Sequence, residues 1–135
     1  MISISGILLI LGIIFVALAA VIHVVIFYFE SIAWAQPNVW KRFGMRSQQD
    51  ADVVKPMAFN QGFYNLFLAI GVAVGFIVWF SGNLDAGYGI TLFAALSMAA
   101  AATVLILSNP KLARAALTQG ALPLVGSVML IVARF

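Results

Sequence analysis

The chain of 135 residues has no cysteine, one histidine, four acidic residues and seven basic ones. Without cysteine there are no disulfides, no thiolate nucleophile and no thiolate metal ligand. A single histidine with no cysteine gives at most a His and carboxylate pair, short of the three or four ligands of a zinc site, so neither a metal nor a cofactor is expected. No Ser, His and acid arrangement and no glycine-rich phosphate loop can be placed, so hydrolase and nucleotide-binding chemistry finds no support. Only 8% of the residues are charged, far too few for a nucleic-acid surface.

What the chain has is apolar side chain, at 64% hydrophobic. A soluble domain is nearer half apolar and a quarter charged, and one small core could not hide the excess from water. The bilayer is therefore the expected solvent. At about 20 residues per crossing, four spans leave room for ends and connections while six leave almost none. The expected fold is all-α: one integral membrane domain over residues 1–135, a four-helix bundle.

The first span reads from about Ile4 to about Glu30, and no charge precedes its end. A cleaved signal peptide is the rival reading, since Ala17-Leu18-Ala19 resembles a cleavage site. No Lys or Arg precedes the run, however, and the run is too long. Residues 34–55 form the extended polar stretch and are expected to be a solvated loop. Within it Val39, Trp40 and Phe43 alternate with Lys41 and Arg42, which suits a short helix in the headgroup layer with its aromatic side down. The second span is expected over about 56–80, with Pro56 in its first turn and Ser81-Gly82-Asn83 as the turn after it. The third is expected over about 87–107. Asn109 then caps and Pro110 opens the approach to the fourth, over about 112–132.

Basic residues set the expected orientation. The first loop holds Lys41, Arg42, Arg46 and Lys55 and the third holds Lys111 and Arg114, while the second holds only Asp85. Loops one and three then face the cytoplasm and both termini lie on the opposite side, in the cell inner (plasma) membrane as a multi-pass protein.

Polar residues inside spans are costly unless satisfied, so the few present carry most of the information. His23 and Glu30 are seven residues apart, two helical turns or about 10 Å, and share a face. The second span stacks Asn60 with Tyr64 and Gln61 with Asn65, and the fourth holds Thr118 and Gln119, then Gly120 and Pro123. With the orientation above, all of these fall in the cytoplasmic half, and the outer half is almost purely apolar. His23, Glu30, Asn60, Gln61, Tyr64, Asn65 and Gln119 are thus the candidate ligand-binding residues. They could equally hold the bundle together by hydrogen bonds between helices, and Glu30 could snorkel or pair with Lys55 or Arg42. Gly71 and Gly75 form a G-x-x-x-G, and Ala95, Ala99 and Thr103 a small stripe, so the second and third spans should pack closely, within one bundle or between protomers of a homo-oligomer.

His23 through Glu30, Trp34, Phe43-Gly44, Asn60-Gln61-Gly62-Phe63-Tyr64-Asn65 and Gln119-Gly120 together resemble the small bacterial inner-membrane proteins classed as domain of unknown function 1304. The resemblance covers nearly the whole chain and implies a four-helix integral membrane protein, with no substrate attached. Its motif residues fall on the polar cluster already described. The pattern it implies has an acidic residue just before the His, where this chain has Ile22, so no adjacent carboxylate tunes His23.

Four functions compete. A binding or carrier protein would hold a small polar or amphipathic molecule, or a lipid headgroup, with membrane lipids as its surroundings. A proton-coupled exporter would use Glu30. A membrane enzyme acting on a lipid-like substrate would use His23 or Glu30 as acid or base and Tyr64 to orient the substrate. In a structural protein the cluster would serve packing alone.

Overall fold

The structure is a computed structural model that describes Met1 and residues 3–134. Among these residues there are helices and no strands. They run as α1 (Ile4–Phe27), a π-helical turn (Tyr28–Ile32), α2 (Pro37–Trp40), a 3-10 turn (Lys41–Phe43), α3 (Gln48–Phe80), α4 (Leu84–Ser108), a second 3-10 turn (Pro110–Leu112) and α5 (Ala113–Arg134). The four long segments are each long and apolar enough to cross a membrane. In the bundle α1 packs on α3 and α5, and α4 packs on the same two helices, so α1 and α4 are diagonal.

Helix ends follow from the local sequence. Ser3 accepts from Gly6 N, Ser47 from Asp50 N, and Asn83 from Ala86 N, each satisfying one of the first orphan N–H groups of a helix. Asn109 accepts from Lys111 N and Pro110 opens the turn that leads into α5, as its sequence suggests. Gly82, with φ of +104°, makes the tight turn between α3 and α4, a conformation that L side chains resist.

Two expectations about the first loop change. The second span was expected to start at Pro56, but α3 starts at Gln48 and carries Pro56 inside it. Its 33 residues are about 50 Å long, well beyond the ~30 Å hydrocarbon layer. The polar residues of 48–55 are thus helix projecting past the apolar zone rather than loop. Ser47 caps them, and Gln48 Nε2 donates to Asp52 Oδ1 one turn on, at 2.9 Å. The short helix is present, but its aromatic side does not point into headgroups. Trp34 and Trp40 are buried with Ala51 and Ala58, with Phe43 packed against them, and Trp34 Nε1 donates to the Ala51 carbonyl at 2.9 Å. The reason is the projecting start of α3, which offers an apolar wall close at hand.

Small residues bring the helices together. A Cβ on Gly75 would lie 2.7 Å from Thr91 N, and one on Gly71 3.2 Å from Ala94 Cβ. The G-x-x-x-G motif therefore makes the α3–α4 seam inside one bundle. On the other side Gly12 meets Leu130 and Gly126 meets Val16, fixing α1 and α5 antiparallel. The core lies at the middle of the bundle, among Val16, Ala19, Val72, Ala95, Met98 and Leu130.

Candidate functional site

The connection between α1 and α2 is where the fold departs from regular geometry. At Tyr28–Ile32 the helix widens into a π-turn, closed by Ala33 N donating to the Tyr28 carbonyl at 2.8 Å. An ordinary helix turns 100° per residue, so consecutive side chains address different neighbours. The wider turn narrows that angle, and π-turns of this kind are frequent at functional sites. Here Glu30 and Ser31 both reach α3. Asn65 Nδ2 donates to Glu30 Oε2 at 2.9 Å, and Ser31 Oγ donates to the Phe59 carbonyl at 2.8 Å.

Gly62 makes this approach feasible. It sits on α3 between Phe59 and Asn65, and a Cβ there would stand 3.1 Å from Glu30 Cβ and 3.1 Å from Ser31 N, and closer still to Ser31 Oγ. Asn65 also donates to the Gln61 carbonyl of the preceding turn, at 3.1 Å, which holds its amide in position. Phe27 stacks edge-on against Phe63, with centroids 5.1 Å apart, and packs the same seam one turn away.

Glu30 is 8% exposed, so it does not snorkel. Nor is it paired with the cations considered from the sequence. Arg42 lies over the Phe29 ring and donates to the Asn38 carbonyl, and among the described residues the one ion pair is Arg134 with Asp85, at the opposite end. The hydrogen-bond partner of the buried carboxyl is therefore a neutral amide.

His23 is also buried, at 1% exposure. Its Nδ1 donates to the Ala19 carbonyl at 2.8 Å, which leaves Nε2 as the acceptor of the neutral ring. The α1–α5 register set by Gly12 with Leu130 and Val16 with Gly126, continued two turns, puts His23 level with half-buried Gln119. No hydrogen bond joins His23 to Glu30 or to another candidate residue among the described residues.

The remaining candidates face outward. Tyr64 is 56% exposed, and Asn60 and Gln61 are exposed as well. The structure thus joins Glu30 to Asn65, places His23 and Gln119 at one level elsewhere in the bundle, and leaves Asn60, Gln61 and Tyr64 on the outer surface of α3. Ser31 and Gly62 were missed as site residues, although both adjoin candidates in the chain. The other end is also less purely apolar than expected: Thr91 and Ser127 are fully buried there, and neither hydroxyl has a partner among the described residues. Among the described residues no three His, Asp or Glu side chains come together to hold a metal ion.

Apolar grooves indent the bundle. One of about 250 Å³ lies between α4 and α5, lined by Ala102, Ala116 and Gly120 among others, and one of about 340 Å³ lies between α1 and α3.

The sequence pattern of a family described as protein of unknown function (DUF1304) matches residues 17–131. The chain belongs to this family. The matched span includes the π-turn, Glu30, Gly62 and Asn65 as well as the α3–α4 seam of small residues, so DUF1304 membership covers the whole site and most of the bundle. No curated protein and no solved structure matches this DUF1304 chain.

Proposed function

We propose that this protein is a membrane-embedded binding protein or carrier, and that its ligand engages Glu30 and Asn65 at the cytoplasmic end of the bundle. Six basic residues in the α1–α3 and α4–α5 connections and their flanks support that orientation, since such residues are retained on the cytoplasmic side of the inner membrane. At the other end Arg134 is neutralised by Asp85 at 2.7 Å, which sharpens the asymmetry.

The observation that carries the reading is the buried carboxyl with a neutral amide as its partner. An ionised carboxylate out of water is costly until a cation or several donors meet it, and proteins retain such groups within membranes at ligand and ion pathways. Packing alone would be served more cheaply by an apolar residue. Hydrogen bonds across membrane helices contribute about 0.6 kcal/mol on average, which does not offset burying a charge. The enzyme reading draws no support from the placement, because Tyr64 faces outward and no hydrogen bond joins His23 to Glu30 among the described residues.

Native mass spectrometry of the protein in mild detergent, wild type beside Glu30→Gln, tests the proposal. The expected result is a discrete additional mass on the wild type that is lost or much reduced in the variant. Equal, bare masses for both proteins, with the variant folded, would overturn it in favour of a packing role.

A further inference from the structure

The α1–α3 groove and the Glu30–Asn65 pair lie on the same seam. On α3 the groove begins at Leu66, the residue after Asn65, and ends at Ala73, about 10 Å further along the helix axis at 1.5 Å per residue. On α1 it is walled by Val21 and Val24, the latter six residues before Glu30 and so about 9 Å from it along the axis. It is apolar along its whole length, and Val21, Val24 and Ile70 are all exposed, so it opens sideways toward lipid. At one end of this open apolar slot sits a carboxyl that makes no ion pair among the described residues.

We infer that the site takes a single-chain amphipathic cation, with its ammonium head at Glu30 and Asn65 and its alkyl tail along the α1–α3 groove. The inference rests on the binding reading above and names its ligand class. Charge complementarity selects the head. Glu30 accepts one hydrogen bond from Asn65 Nδ2, which leaves carboxylate lone pairs for an ammonium donor, and the Asn65 amide oxygen is a further acceptor within the same pair. An anionic head would add charge of the same sign to a buried carboxylate. Shape selects the tail. One groove of about 340 Å³ between two helices accepts one chain, whereas a diacyl lipid would need a second slot. Entry is lateral, from the inner leaflet, so the head need not cross hydrocarbon far from the interface.

The test is photolabelling in nanodiscs of phosphatidylcholine. The probe is a decylammonium carrying a diazirine on its tail, with an uncharged alkyl diazirine and an alkyl sulfate diazirine as parallel probes. The proteins are wild type, Glu30→Gln and Ala73→Leu, each checked for folding by its thermal transition. The expected result is saturable labelling of Val24, Leu66 or Ile70 by the ammonium probe, suppressed by unlabelled decylammonium and at least tenfold weaker in Glu30→Gln. In Ala73→Leu, which fills the far end of the groove, the label should shift toward Leu66. Saturable labelling by the uncharged or sulfate probe that persists in Glu30→Gln would overturn the cation assignment while leaving the binding reading in place. Displacement of the ammonium probe by phosphatidylethanolamine, but not by free decylammonium, would make the occupant a lipid and overturn the single-chain assignment. Labelling at the lipid-facing background level with all three probes would overturn both readings.

Discussion

The Asn65 amide donates to Glu30 Oε2 at 2.9 Å across 35 residues of sequence, tying the irregular end of α1 to α3 at the point where Gly62 lets the two backbones close. Sequence separation makes this a tertiary bond, and its partners are a buried carboxyl and a half-buried amide. A double-mutant cycle of Glu30→Leu and Asn65→Leu, read by reversible unfolding in mixed micelles, should give a coupling of about 1 kcal/mol, within the range seen for polar contacts in membranes. Glu30→Gln retains an acceptor for the amide and should fold with most of that stability. A coupling indistinguishable from zero would show that the bond contributes nothing in the bilayer.

Glycines inside and outside the α3–α4 seam should differ sharply in their tolerance of a methyl group. Gly75→Ala would press its Cβ to 2.7 Å from Thr91 N and 3.0 Å from Thr91 Cα, backbone atoms that cannot move without shifting α4. The expected loss is about 1–3 kcal/mol, typical of overpacking. Gly89→Ala meets nothing within 4 Å and should be neutral or stabilising by up to about 1 kcal/mol, from helix propensity alone. Thermal transitions of the two variants in one detergent compare them directly, and equal losses would refute the seam.

Trp34 and Trp40 are both buried in the cluster at the basic end, but their indoles are not equivalent. Trp34 Nε1 donates to the Ala51 carbonyl, whereas Trp40 Nε1 has no partner among the described residues. Trp34→Phe should cost about 1 kcal/mol for the lost hydrogen bond in addition to lost contact area. Trp40→Phe removes an unsatisfied donor and should cost less. The order of the two melting temperatures decides the matter, and the reverse order would mean that the indole of Trp34 is not bonded.

Orientation can be read with single cysteines, because the chain has none of its own. Gln49→Cys and Ala86→Cys place exposed thiols at opposite ends of the bundle. In intact cells a membrane-impermeant maleimide should label Cys at position 86 and reach position 49 only after lysis. The opposite pattern would put the basic end outside and move the Glu30 site to the other face of the membrane.

Much of the fold was legible in the sequence because the governing signals are local. Uncharged stretches of spanning length, Ser81-Gly82-Asn83 between two of them, and Asn109-Pro110 before the last all act within a turn or two, and the helices fall where those signals put them. The start of α3 was harder to see. The composition of 48–55 is that of a loop, and Pro56 reads equally well as a first-turn residue. Only the Ser47 cap, the Gln48–Asp52 pair and the wall that Ala51 offers to Trp34 make that stretch helical.

The site divides in the same way. The candidate residues could be picked out because a polar side chain in an apolar run is conspicuous wherever it points. Which of them converge could not be, since Asn60, Gln61, Tyr64 and Asn65 occupy successive positions around one helix and only its rotation against α1 decides that Asn65 faces Glu30 while Tyr64 faces out. That rotation is set by Gly62 and by the π-turn, which carries no sequence signature of its own. The sequence by itself determined a DUF1304 bundle of four spans, its basic end and its polar inventory, because composition, length and charge act without regard to distant partners. Tertiary structure alone decided that Glu30 is buried against a neutral amide beside an open apolar groove, because burial and pairing depend on how close two helices can come.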